Sequence, residues 1–290
     1  MSTETGFNTD WLEERFQFDS RARNAVVENH CLTHFPDNKT VNILDLGSGS
    51  GSSFLYLSQK LPQNQNWTFV ELNPLLAEAS LNRISKFAAI KGWKVEKQPN
   101  TLVIETHKKC MKIEVLNHSF LKLEEKVDLE KFNLATAAAV LDLLTESMLY
   151  ELLELLTGND IPLLATINYE GMKFNPSEPG DEVYIDLYGR HMQREQPFGR
   201  TLGPDCLKSI LAYSKTRNHK IISGESNWQV GVKDQKMHTF LLDYMAGAIP
   251  EMLTSDKEVA VFEQWLADKR SRVNMEGLET TVFHFDVFVS

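Results

Sequence analysis

Residues 41–53 read Val-Asn-Ile-Leu-Asp-Leu-Gly-Ser-Gly-Ser-Gly-Ser-Ser, an apolar run closing on an acid, then a loop with glycine at every second position. An amphipathic stretch, 54–61, follows directly. This is the pattern of a buried parallel strand that turns sharply into a helix. Gly47, Gly49 and Gly51 let the backbone adopt positive φ and let a ligand approach the main chain without meeting a Cβ. The first N–H groups of the following helix have no partner within it, so they face whatever lies on the loop.

Two nucleotide cofactors compete for such a loop. The dinucleotide fingerprint, G-x-G-x-x-G, needs its third glycine for close helix–strand packing beside a pyrophosphate. Ser52 stands at that position, and the third glycine comes one residue early, at Gly51. The next strand, Trp67-Thr68-Phe69-Val70, ends in Glu71. An acid about 20 residues beyond a glycine loop is placed to accept hydrogen bonds from both hydroxyls of an adenosine ribose. Glu71 therefore reads as adenosine, which NAD and S-adenosylmethionine (SAM) share. Taken together, the D-x-G-x-G-x-G from Asp45 and the Asn73-Pro74-Leu75-Leu76-Ala77-Glu78-Ala79 after Glu71 resemble the first two motifs of class I SAM-dependent methyltransferases.

The rest of the chain continues the alternation. Residues 11–35 read as helical, 75–90 as a helix, 111–116 as the third strand, 132–140 as the fourth, 145–156 as a helix and 161–167 as the fifth. Residues 91–109 are polar, with an apolar patch at Leu102-Val103-Ile104 that suits an extra hairpin strand. Beyond 169 the pattern loosens. Helices are expected at 205–217, 237–249 and 258–272, strand pieces at 220–223 and 228–230, and a β-rich tail at 281–289. Alternating strands and helices imply an α/β fold with a mostly parallel sheet covered on both faces. The resemblance makes it Rossmann-like and seven-stranded, with an antiparallel C-terminal strand and added helices near the C-terminus. One domain, 1–290, is expected: a helical cap (1–38), a SAM-binding core (40–170) and an acceptor-side segment (171–290).

Carried over residue by residue, the resemblance assigns roles. Gly47, Ser48, Gly49 and Gly51 line the methionine half of SAM, and Asp45 lies near its ammonium and sulfonium. Glu71 holds the ribose hydroxyls and Leu72 packs near the adenine. Asn117 or His118 reaches the adenine amino group, and Ala138 lets the cofactor lie against the fourth strand. No Asn-Pro-Pro-Tyr or Asp-Pro-Pro-Tyr follows that strand, so amino methylation of DNA bases gains no support. The expected product is S-adenosylhomocysteine (SAH).

The acceptor is less legible. The net charge is −10 with acids and bases interspersed, which disfavours nucleic acid as partner. Cys31, Cys110 and Cys206 make no disulfide framework, and no apolar run is long enough for a signal core or membrane span. A cytoplasmic enzyme, monomer or homodimer, acting by O- or N-methylation of a small molecule is expected. Candidate general bases are His191 and Asp142; Arg15, Asp19, Tyr169 and Arg194 are candidate substrate contacts. Phe16, Phe18, Tyr188 and Phe198 could exclude water around them. His30, Cys31 and His34 have metal-like spacing on a helix but lack a further ligand, so no metal is expected. The competing readings are an NAD(P)-dependent oxidoreductase and a non-catalytic protein that keeps the methyltransferase fold.

Overall fold

The computed structural model describes residues 9–35, 39–61 and 64–290. Two helices open it, α1 (Thr9–Ala22) and α2 (Ala25–Leu32), where the sequence suggests one. The break is Asn24, which is extended and whose side chain accepts from the N–H groups of Val26 and Val27. Its own N–H donates to Asp286 Oδ2, which fixes this corner to the C-terminal strand.

β1 (Val41–Leu46) leads through the glycine loop into α3 (Ser52–Leu57), and β2 (Gln65–Val70) pairs with β1 in parallel. α4 (Pro74–Ile90) follows, capped by Asn73 and opened by Pro74, whose missing N–H costs nothing there. β3 (Lys94–Gln98) and β4 (Thr101–Glu105) form an antiparallel hairpin against β5 (Cys110–Leu116), which pairs with β2. β6 (Leu134–Ala138) lies on the other side of β1. α5 (Glu146–Gly158) buries Leu149, Leu152, Leu153 and Leu156 at helical spacing, each worth roughly 1.5–3 kcal/mol. β7 (Leu163–Asn175) then pairs with β6 and runs well past the expected end at 167.

The loosely patterned segment contains α6 (Asp181–Met192), a small hairpin of β8 (Glu195–Gln196) and β9 (Gly199–Arg200), and α7 (Cys206–Arg217). The remainder is β10 (Ile221–Glu225), β11 (Trp228–Val230), α8 (Gln235–Ala248), α9 (Asp256–Asn274) and β12 (Glu279–Val289). The sheet order is β10-β12-β7-β6-β1-β2-β5-β4-β3, with β11 also paired to β12, ten strands among the described residues. The count exceeds seven because the hairpin at 94–105 widens one edge and β10 and β11 share the long β12 at the other. β12 is antiparallel to β7, as expected of the C-terminal strand.

Strand order reverses beside β1, with β2 on one side and β6 on the other, and a crevice at such a switch point is the ligand site of doubly wound sheets. Asp45, Glu71, Asn117 and Ala138 arrive at this edge. α1, α8, α9 and the far half of β7 build an aromatic-rich core beside it.

Candidate active site

The glycine loop is held by its neighbours. The N–H groups of Gly47 and Ser48 donate to Val70 O at 2.9 and 3.2 Å, and Gly51 N–H donates to Ser48 O at 2.9 Å. Gly51 has φ +77°, and a Cβ there would lie 2.8 Å from Ile84 Cδ1, so the third glycine lets α4 pack on the loop. Gly49 differs. With φ +52°, a Cβ would meet nothing closer than 3.9 Å, so its backbone faces open crevice. Arg83, which the sequence reading missed, reaches from α4 to Ser50 O, Ser50 Oγ and Ser52 Oγ while packing 4.8 Å from the centroid of Phe16.

Glu71 is tied to the same loop. Its Oε2 accepts from Gly49 N–H at 2.9 Å and its Oε1 from Asn73 N–H at 2.8 Å. Each oxygen keeps a lone pair, enough for the paired hydroxyls of a ribose. Leu72 and Leu75 are 73% and 75% exposed beside it, apolar surface of the kind a flat base covers. Asn117 Nδ2 donates to Glu71 O, whereas His118 turns to Lys122 O and Glu125.

Asp45 lies beneath the loop, 1% exposed. Thr136 Oγ1 donates to its Oδ1 at 2.7 Å, while Oδ2 has no hydrogen-bond partner among the described residues. Burial pushes this carboxyl up to about 7, against the hydrogen bond from Thr136, the nearby Ser53 hydroxyl and the charge of Arg23. A buried, half-satisfied acid beside a glycine backbone suits a cationic ligand.

α1 crosses the loop, bringing Leu12 Cδ1 within 3.9 Å of the Gly49 Cβ direction. Trp11, beside Leu12 on α1, enters a circuit of aromatic rings. Centroid separations are 6.1 Å for Tyr188–Tyr169 and for Tyr169–His284, 4.8 Å for His284–Trp228, 5.9 Å for Trp228–Trp11 and 4.9 Å for Trp11–Tyr244. Burial, then the proximity of Tyr244 and Asp142, pushes the Tyr188 hydroxyl up. The Arg15 guanidinium sits 5.6 Å from the Trp11 centroid and 5.3 Å from that of Trp228, and binds Asp19 through Nε at 3.1 Å and Nη2 at 3.3 Å.

Asp142, in the turn after β6, is 5% exposed and adjoins this circuit. Burial raises it to about 6, opposed by the N–H groups of Asp142 and Tyr169 and by the charge of Arg15. Among the described residues, Asp142 Oδ1, the Tyr169 hydroxyl, Trp228 Nε1 and His284 Nδ1 are buried without hydrogen-bond partners. Burial, with help from Arg15, drops the His284 imidazole to about 3, so it is neutral. Tyr169 and His284 face each other across the β7–β12 pair.

Among the sequence candidates, Arg15, Asp19, Asp142 and Tyr169 thus come together. His191 and Arg194 go elsewhere: His191 Nε2 lies 2.9 Å from Glu251, and Arg194 Nε 3.7 Å from the same carboxylate, at the exposed end of α6. Phe198 is 54% exposed on the small hairpin. His30 and His34 pack their rings against Phe288, and Cys31 is buried. Among the described residues no group of His, Cys, Asp and Glu side chains is placed to hold a metal ion, and no helix is long and apolar enough to cross a membrane.

No family model and no curated protein matches the chain. Solved structures do. A cyclopropane-fatty-acyl-phospholipid synthase-like protein from Lactobacillus casei superposes with TM-score 0.51 at 10% identity, over 96% of this chain and all (100%) of that one. The fold is that of a class I SAM-dependent methyltransferase. Looser likenesses are the cyclopropane synthase MmaA2 of Mycobacterium tuberculosis (TM-score 0.45, 10% identity, 98% and 95% of the two chains) and a sarcosine dimethylglycine methyltransferase of Galdieria sulphuraria described as putative (0.43, 9%, 91% and 83%). In this fold the glycine loop, Asp45 and Glu71 stand at the crevice where strand order reverses, and α1 with the aromatic circuit flanks it.

Proposed function

We propose that the chain is a SAM-dependent methyltransferase that alkylates an oxygen or nitrogen of a small molecule. The observation that carries this reading is the convergence on one crevice of Gly49, whose N–H is held by Glu71, and of Asp45, whose Oδ2 is buried without a partner. The residues fit the cofactor. Gly49 leaves its main chain open, Asp45 offers a carboxylate to a cationic amino acid portion, Glu71 offers two lone pairs to a ribose, and Leu72 offers apolar cover.

When bound, SAM supplies an electrophilic methyl group on a positively charged sulfur. The chain supplies the rest. α1 and the aromatic circuit exclude water and hold the nucleophile in line, which can supply much of the acceleration of a displacement reaction. Asp142 is the better-placed base. It is buried beside the circuit and raised toward neutrality, whereas His191 pairs with Glu251 at the surface. Gln193, next to His191, is likewise engaged, bonding Leu202 O and Asp205.

Calorimetric titration with SAM, SAH and NADH tests the reading. SAM and SAH are expected to bind to one site, and NADH is not. Tight NADH binding without SAM binding would replace it with the oxidoreductase alternative, in spite of Ser52 at the third-glycine position.

A further inference from the structure

The cofactor side has one buried carboxylate with an oxygen left unbonded, Asp45. The acceptor side has another, Asp142, and a second ligand chemistry follows from it. We infer that the aromatic circuit holds the methyl acceptor and that this acceptor is a small organic amine whose nitrogen faces Asp142. The inference rests on the methyltransferase reading above.

Charge pairing within the circuit supports it. Arg15 and Asp19 neutralise one another through two hydrogen bonds. His284 is neutral. Asp142 remains, with Oδ1 unbonded and no cation in salt-bridge contact among the described residues. One buried negative charge calls for one cation, because an unpaired charge out of water is costly. The walls agree: Tyr188, Tyr169 and Tyr244 present π systems, which attract cations, beside Trp11 and Trp228, which already hold the Arg15 guanidinium. Two further unbonded groups, the Tyr169 hydroxyl and Trp228 Nε1, can accept from or donate to the remainder of the molecule. An anionic acceptor meets the opposite situation. It would face Asp142 with like charge, and the Arg15 guanidinium nearby is already taken by Asp19.

The chemistry balances. The ammonium gives a proton to Asp142, whose raised pKa suits it to accept one near neutrality. The free amine's lone pair then forms the bond to the methyl carbon, the electron pair of the methyl–sulfur bond stays on sulfur, and the product leaves as a methylated ammonium. Asp142 afterwards releases its proton to water.

The test is calorimetry on the full chain saturated with SAH, titrated with n-butylamine and 2-phenylethylamine and with the alcohol and carboxylate counterpart of each. Tryptophan fluorescence gives a second readout, since Trp11 and Trp228 line the circuit. At least one amine is expected to bind roughly tenfold or more tighter than its counterparts. Asp142→Asn is expected to remove that preference while SAH affinity and the circular dichroism spectrum stay unchanged. If SAH binds but neither amine exceeds its alcohol and its carboxylate, or if Asp142→Asn leaves the preference intact, the amine inference is wrong and the cofactor reading stands. If SAH itself does not bind, both fall.

Discussion

The backbone N–H of Gly49 donates to Oε2 of Glu71 at 2.9 Å, joining the end of β2 to the middle of the glycine loop. The carboxylate thereby has a fixed orientation before any ligand arrives. Glu71→Ala removes both this link and the acceptors proposed for the ribose. Hydrogen bonds to a charged group contribute roughly 1.5–3 kcal/mol each, so SAH affinity is expected to fall by at least tenfold, by calorimetry. Glu71→Asp, which keeps the charge but shortens the reach, is expected to fall in between. Unchanged SAH affinity in Glu71→Ala would remove this residue from the site.

Gly51 and Gly49 are expected to separate fold from binding. Gly51→Ala combines positive φ with a Cβ 2.8 Å from Ile84 Cδ1, and is expected to destabilise the protein by roughly 2–4 kcal/mol, read from denaturant unfolding. Gly49→Val places its Cβ in ordinary contact, 3.9 Å from Gly47 O and Leu12 Cδ1, and is expected to lose only the roughly 1–2 kcal/mol of a left-handed residue. SAH binding should nonetheless disappear in Gly49→Val, because the side chain projects into the crevice. Retained binding there would place the ligand elsewhere.

Lys269, fully buried on α9, sits 2.7 Å from Asp181 and 3.1 Å from Glu178, with Trp265 Nε1 also donating to Asp181. Lys269→Met leaves Asp181 charged in a dry interior and is expected to cost about 3–5 kcal/mol in unfolding free energy. The double variant Lys269→Met with Asp181→Asn is expected to recover part of it, since both ends of the pair are then gone. SAH affinity should not move in either, as this network joins α6 to α9 away from the crevice.

The crevice proposed for the cofactor was legible because its signals are local. A strand end, a glycine loop and an acid about 20 residues on are all within one βαβ unit, and local patterns fix such units. The aromatic circuit assembles from Trp11, Tyr169, Tyr188, Trp228, Tyr244 and His284, which only the tertiary fold brings together, so spacing could not reveal it. Arg15, Asp19 and Tyr169 were reachable by position relative to the loop. His191 and Arg194 were selected on the same ground, but 181–192 is a helix. Tyr184 is buried on it and Tyr188 joins the circuit, one turn apart, while Arg190 is exposed and His191 and Arg194 meet Glu251. Gly189 and the polar run after it hid that helix in the sequence. Arg83 gave no signal beyond being one more charged residue on an amphipathic helix.

Asp45 gives the sharpest test because its titration couples stability to binding. Its carboxyl rises from 3.8 to about 7 on folding, chiefly by burial. The folded protein therefore holds a proton that the unfolded chain releases between these values, so stability declines as pH rises from about 4 to about 7 and is flat above. The full effect is on the order of 4 kcal/mol, and Asp142, raised to about 6 for the same reason, adds to the slope in the same direction. Asp45→Asn is expected to flatten the dependence of melting temperature on pH and to raise it above pH about 7 in the ligand-free protein. Binding runs the other way. The ammonium of the ligand's amino acid portion favours the ionised carboxylate, so SAH binding near pH 6 is expected to release a proton from Asp45, seen as a binding heat that varies with the ionisation enthalpy of the buffer. In Asp45→Asn that variation should vanish and affinity should fall. Equal slopes of stability against pH in the two proteins, or proton release that persists in Asp45→Asn, would mean that Asp45 is not the group that meets the cofactor's charge.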